Sequence, residues 1–316
     1  MENPDVYSLE EAESPHFWAA AIPVLLFGIL FVHFFFTWRA RWQKSDLSHK
    51  SDTGAPLIIL AHTPMPTIPP LPTAAPPPGA QRLSPLDGIV QVYIPAGNFQ
   101  MGRSASGDEL SDDQPQHTVW LDAFWIGLTP ATNAAYSLCV ASGDCKPPCS
   151  PETNPHYYDP VYASHPVVYV TWQAAQDYCR WAGGRLPTEA EWERAAGGDG
   201  WREYPWGEAD PAENLANLGG FNESTMPVGS FPEGASPFGV LDMGGNVREW
   251  TADWYAPDYY PVSPAANPQG PPTGTERVLR GASWNDPWYY AKLTRRYAHA
   301  PDSAGANRGF RCAFDE

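Results

Sequence analysis

Residues 17–38 (FWAAAIPVLLFGILFVHFFFTW) contain no Asp, Glu, Lys or Arg, and that run constrains everything around it. A helix rises about 1.5 Å per residue, so roughly 20 apolar residues cross the hydrocarbon core of a bilayer. The run therefore predicts a membrane-spanning helix, with Trp18, Trp38 and Trp42 at the depth of interfacial aromatics. The segment before it is acidic and no small-residue cleavage site follows, which argues against a removed signal peptide. Pro23 lies near the helix start, where a missing N–H costs little. His33 inside the run could ligate a haem or chlorin in a larger membrane complex, but a single histidine there more often only hydrogen-bonds.

The run divides the chain into an acidic segment (1–16), the span (17–38), a basic then Pro-rich linker (39–86) and a globular part (87–316). Two arguments about orientation conflict. Arg39, Arg41, Lys44 and Lys50 follow the span, while Asp5, Glu10, Glu11 and Glu13 precede it. The positive-inside rule then places the globular part in the cytoplasm. Against this, TPMPTIPPLPTAAPPPG (63–79) is a stiff extended spacer of the kind that lifts a domain off a membrane.

The chain holds 14 Trp, 15 Tyr and 13 Phe beside 27 Gly and 36 Pro. That is too aromatic for disorder and too rich in Gly and Pro for a helical bundle, so large rings must fix irregular backbone. A net charge of −17 disfavours nucleic acid as a partner. IVQVYIPAG (89–97) and HTVWLDAFWIG (117–127) alternate like half-buried strands. Apolar spacing predicts helices over 132–141, where Gly143 stops the pattern, and from Thr171 through TWQAAQDYCRWAGG. Thr188 and Glu191 form a capping box for a third helix through Ala196. Beyond that point only ERVLRGAS (276–283) and GFRCAF (309–314) read as strands.

Several segments in one order resemble the formylglycine-generating enzyme, or sulfatase-modifying factor, family. They are IPAGNFQMG (94–102), HPVVYVTWQAAQDYCRWAGGRLPTEAEWERAA (165–196), YPWG (204–207), PVGSFPEGASPFGVLDMGGNVREWTADWY (227–255), RVLRGASW (277–284) and NRGFRCAF (307–314). The resemblance implies an α+β, C-type-lectin-like fold with little regular structure. It also gives Arg185, Pro187, Glu189, Glu191 and Trp192 a structural role, a buried Arg pairing with carboxylates.

Active members of that family bind copper through two cysteines after an R-G-[GA]-S strand and oxidise a substrate cysteine. Here the strand is Arg280-Gly281-Ala282-Ser283, and the cysteine positions correspond to Asp286 and Ala291. Arg248 replaces a family Trp, leaving Ser283 alone of the set. Cu(I) prefers thiolates, so the resemblance implies no copper and no cysteine oxidation. A family branch with histidine-held iron needs a helical domain that nothing before residue 87 supplies. The family's calcium loop corresponds to Asp242–Glu249, with carboxylates from Asp242 and Glu249 and carbonyls from Gly245 and Val247, an oxygen set that suits Ca²⁺. A second calcium site would begin at Asn217 and Leu218, on a shortened loop.

Cys179 and Cys312 match a pair that is disulfide-bonded in secreted members. Cys139 and Cys145 flank a Gly-containing turn and could close a small ring, which leaves Cys149 over. These cysteines favour an extracytoplasmic domain. The function expected is a non-catalytic, calcium-stabilised, membrane-tethered recognition or scaffold domain with a protein partner in a membrane complex. The alternative is an enzyme with rewired chemistry at Ser283, Asp286, Arg248, Arg295, Arg296 and His299.

Overall fold

The computed structural model describes residues 74–104, 111–150 and 152–316. The expected span, His33 and most of the linker lie outside the described residues. Among the described residues no helix is long and apolar enough to cross a membrane. The chain separates into units 1–69 and 70–316, and all the described residues belong to the second.

The first sheet runs in the order β1 (Gln81–Leu83), β2 (Val90–Ile94), β5 (Phe124–Gly127), β10 (Ala313–Asp315), with every pairing antiparallel. β1 lies in the stretch expected to be linker, so the sheet begins before residue 87. β2 is not half-buried as its alternation suggested: Val92, Tyr93 and Ile94 are all buried. Tyr93, Trp125 and Phe314 enter one apolar cluster, while Val92, Ile94, Phe124 and Ile126 enter another, so both faces of this sheet are covered.

β3 (Gly97–Met101) and β4 (His117–Leu121) pair as an antiparallel ribbon. The pattern over 117–127 is thus two strands in two sheets rather than one. Between them the Asp122 N–H donates to the Asn267 amide oxygen at 2.9 Å, and the Asn267 amide donates back to the Asp122 carboxylate at 2.9 Å, fixing the corner.

The third sheet has the order β8 (Arg296–His299), β7 (Arg277–Arg280), β6 (Arg248–Trp254), β9 (Arg308–Phe310), with β9 parallel to β6. The sequence reading missed β6 and β8. β6 reads REWTADW, and its Glu249 and Asp253 are buried, so burial and polarity do not correspond there. GFRCAF likewise divides between β9 and β10, with Arg311 and Cys312 linking two sheets.

The helices are α1 (Asn133–Ser142), α2 (Pro155–Tyr158), α3 (Trp172–Trp181) and α4 (Glu189–Gly197). Thr132, Thr171 and Thr188 cap α1, α3 and α4, the last through the expected capping box. Gly143 ends α1 at φ 88°, a left-handed backbone that glycine adopts without a Cβ penalty. Every residue of α4 is buried, three glutamates and an arginine included. Glu189 pairs with Arg280 at 2.8 Å and Arg296 at 2.7 Å, and Glu193 pairs with Arg280 at 2.6 Å. Arg185 meets both Glu191 oxygens at 2.7 Å. Disulfides join Cys139 to Cys145 and Cys179 to Cys312, while Cys149 is free and half-buried.

Candidate functional site

The loop after β7 turns at Gly281, φ 78°, where a Cβ would stand 3.1 Å from the Met243 carbonyl oxygen and 3.2 Å from the Trp192 ring. That turn buries Ser283 and Asp286 against the start of β6. The Asp286 carboxylate accepts four hydrogen bonds. Arg248 donates through Nη2 to Oδ1 and through Nε to Oδ2 at 2.9 Å. Ser283 donates to Oδ2 through its backbone N–H at 2.9 Å and its hydroxyl at 2.6 Å. Three of these bonds converge on Oδ2 and one reaches Oδ1, so the carboxylate is held by a guanidinium and by Ser283.

Ala291, the other position, is buried in an apolar cluster with Tyr204, Ala216, Leu218 and Ala282. The residues expected to form one remnant site therefore split into an internal ion pair and a small apolar cluster. Four open clefts on the described surface, of about 450, 520, 260 and 540 Å³, are lined by neither Asp286 nor Ala291.

Arg295 and Arg296 also separate. Arg296 turns inward to Glu189, whereas Arg295 stacks on Tyr290 at 3.7 Å. Tyr297 lies under the Arg248 guanidinium at 3.9 Å, and burial together with Asp286 pushes its hydroxyl up to about 12. Burial, then Arg308 and Arg248, hold His299 below the usual imidazole range. No hydrogen bond joins His299 to Asp286 among the described residues, so the two do not form an acid–base pair.

The loop from Asp242 to Glu249 does not fit the expected calcium ligand set. Glu249 is fully buried, and Arg311 donates to its two oxygens through Nε at 2.6 Å and Nη2 at 2.7 Å. Trp192 Nε1 adds a third donor at 2.9 Å. A guanidinium thus stands where a cation would have to approach, and two cations at one carboxylate repel. Asp242, at φ 61°, accepts from the Gly229 N–H at 2.7 Å through Oδ2, while its buried Oδ1 has no hydrogen-bond partner. Burial pushes its carboxyl up to about 6. The Gly245 carbonyl accepts from the Val247 N–H at 3.0 Å, and the Val247 side chain is buried.

At the second expected site the Asn217 side chain donates to the Ser224 carbonyl at 2.9 Å and accepts from Asn222 at 3.0 Å. The Leu218 carbonyl accepts from the Phe221 N–H at 3.1 Å. Amides, not carboxylates, hold that loop. Among the described residues no group of three or more His, Cys, Asp or Glu side chains could hold a metal. The sequence reading missed Arg311, whose only signal was its place beside Cys312, and Arg308 at the start of β9.

Comparison with known proteins then gives a consistent picture. Residues 80–316 match the family model described as sulfatase-modifying factor enzyme 1-like domain. The chain is 37% identical over 245 residues to the serine/threonine-protein kinase pkn1 of Chlamydia caviae, covering 70% of this chain but only 37% of that protein's length. It is 37% identical over 305 residues to the formylglycine-generating enzyme of Streptomyces coelicolor, covering 78% of this chain and 95% of that one. Among solved structures, PvdO from Pseudomonas aeruginosa superposes with a TM-score of 0.64 at 28% identity, covering 77% of this chain and 100% of PvdO.

Proposed function

The chain belongs to the sulfatase-modifying factor family, and from that premise we propose that its domain is a non-catalytic recognition or scaffold module. Residues 17–38 tether it to a membrane, and the Pro-rich spacer holds it outside the cytoplasm as an accessory part of a membrane complex or a cell-surface binder. One observation carries the reading. Of five cysteines, four are consumed in two disulfides, so Cys149 is the only thiol left in the chain. A Cu(I) site built from two thiolates therefore lacks its pair, wherever in the fold it is sought.

The engagement of Asp286 by Arg248 and Ser283 supports the same reading against rewired acid–base chemistry. The two disulfides support an oxidising compartment. The acidic surface supports protein rather than nucleic acid as the partner. Copper competition tests the proposal: the full chain, titrated into a chromophoric Cu(I) chelate, should leave the chelate's absorbance unchanged. Stoichiometric withdrawal of Cu(I), lost in Cys149→Ser or Asp286→Ala, would overturn it.

A further inference from the structure

One corner of the third sheet carries an arginine, Arg308, that has no carboxylate partner among the described residues. β6 and β9 begin side by side, with Arg248 paired in register to Arg308. Neighbouring like charges across a strand pair destabilise a sheet. On the next strands, Leu279 of β7 lies opposite Tyr297 of β8, and His299, two residues further on, lies opposite Arg277. Arg248 and Arg308 thus stand side by side at one end of the sheet, and their charges reach His299.

Asp286 supplies one carboxylate, and Arg248 takes it through two hydrogen bonds. Arg308 donates Nη1 to the neutral Ser303 hydroxyl at 2.5 Å, and its Nε is buried with no acceptor. Asp302, next to Ser303 in the chain, is exposed and forms no ion pair with Arg308 among the described residues. The electrostatics agree with the geometry. Burial and then Arg248 lower Arg308, and burial, Arg308 and Arg248 lower His299. An added anion would relieve that repulsion.

We infer that this corner is a carboxylate-recognition site, in which Arg308, flanked by Arg248 and His299, receives an acidic side chain from a protein partner. The inference rests on the recognition reading above and names the chemistry of the partner. A protruding segment suits the site better than a small acid, because small ligands need enclosing pockets and none of the four clefts includes these residues. A long polyanion is disfavoured by the chain's net charge of −17, which a short acidic segment meets only locally.

Calorimetry on the full chain in nanodiscs tests the site. The probes are an Asp/Glu-rich octapeptide, its Asn/Gln counterpart and free succinate. The acidic peptide should bind and the amide peptide should not. Arg308→Gln should weaken binding about tenfold, the loss of one charge-assisted contact. Arg308→Lys should recover part of it, and Arg180→Gln on the exposed face of α3 should change nothing. Equal binding of both peptides, or an unchanged Arg308→Gln, would overturn the site. Succinate binding as tightly as the peptide would overturn the protein partner as the source of the carboxylate. If Arg308→Gln does not fold, the unmodified chain decides. Its acidic-peptide affinity must fall as salt rises from about 50 to 500 mM, and a flat response refutes the inference. Failure here leaves the copper competition result untouched, so the two readings fail separately.

Discussion

Glu249→Gln removes one charge at the point where four parts of the fold meet. The side chain sits on β6, accepts from Trp192 of α4 and pairs with Arg311 between β9 and β10. Arg311 also donates to the carbonyls of Gly127, Leu128 and Leu241. Glutamine keeps the volume and the Trp192 contact, so the substitution isolates the charge. It leaves Arg311, 1% exposed, as a buried cation with only carbonyl partners. Breaking a buried pair in this way costs about 3–5 kcal/mol. For a domain of this size each kcal/mol moves Tm by about 2–4 °C, so the expected fall is roughly 6–20 °C. Thermal unfolding followed by circular dichroism, in calcium and in chelator, measures it. The fall should be the same in both, because Arg311 rather than a metal balances Glu249. The reasoning is refuted if Glu249→Gln melts within a degree or two of the unmodified chain. It is also refuted if chelation alone destabilises the unmodified chain by about 2.7 kcal/mol, the linkage expected at a hundredfold excess of calcium over Kd.

Other outcomes follow from the same contacts. Asp242, raised from 3.8 to about 6, binds a proton more tightly folded than unfolded. Its ionisation should therefore cost about 3 kcal/mol, absent below pH 4 and fully present above pH 6. Urea unfolding of Asp242→Asn should show a stability difference from the unmodified chain that shifts in the variant's favour by about that amount between pH 4 and 7; a constant difference would refute it. Opening the Cys179–Cys312 bridge, which closes a separation of 133 residues, should cost about 5 kcal/mol by the loop-entropy relation, and opening Cys139–Cys145, separated by 6, about 2. Paired Cys→Ser variants compared by denaturation would check this, and equal losses would contradict it.

What was legible from the sequence was local or covalent. Apolar spacing announced the helices from Thr132 and Thr171, and Thr188 announced the third because a capping box is a contact within four residues. The 179–312 pairing came with the family resemblance, and the 139–145 ring could be suggested from its turn. What was not legible depends on distant partners. Glu249 and Asp253 made β6 look too polar for a buried strand, because their partners, the Arg311 guanidinium and the Glu189 N–H, lie far along the chain. The stretch 117–127 looked continuous because nothing in its alternation reveals the Asp122–Asn267 corner. The calcium expectation at Glu249 left out Arg311 for the same reason: a carboxylate open to a metal and one held by arginine read identically in sequence. At the remnant site the residue types were legible, but not that Asp286 would pair with Arg248 while Ala291 packs among apolar side chains.

The central claim is that this family scaffold no longer performs oxidation and instead recognises a partner, and a turnover measurement tests it most directly. The full chain, loaded with copper under oxygen and given a cysteine-containing peptide, should release no aldehyde product by mass spectrometry, while the Streptomyces coelicolor relative run in parallel provides the positive control. Aldehyde formed by this chain, dependent on copper and abolished by Asp286→Ala, would contradict it.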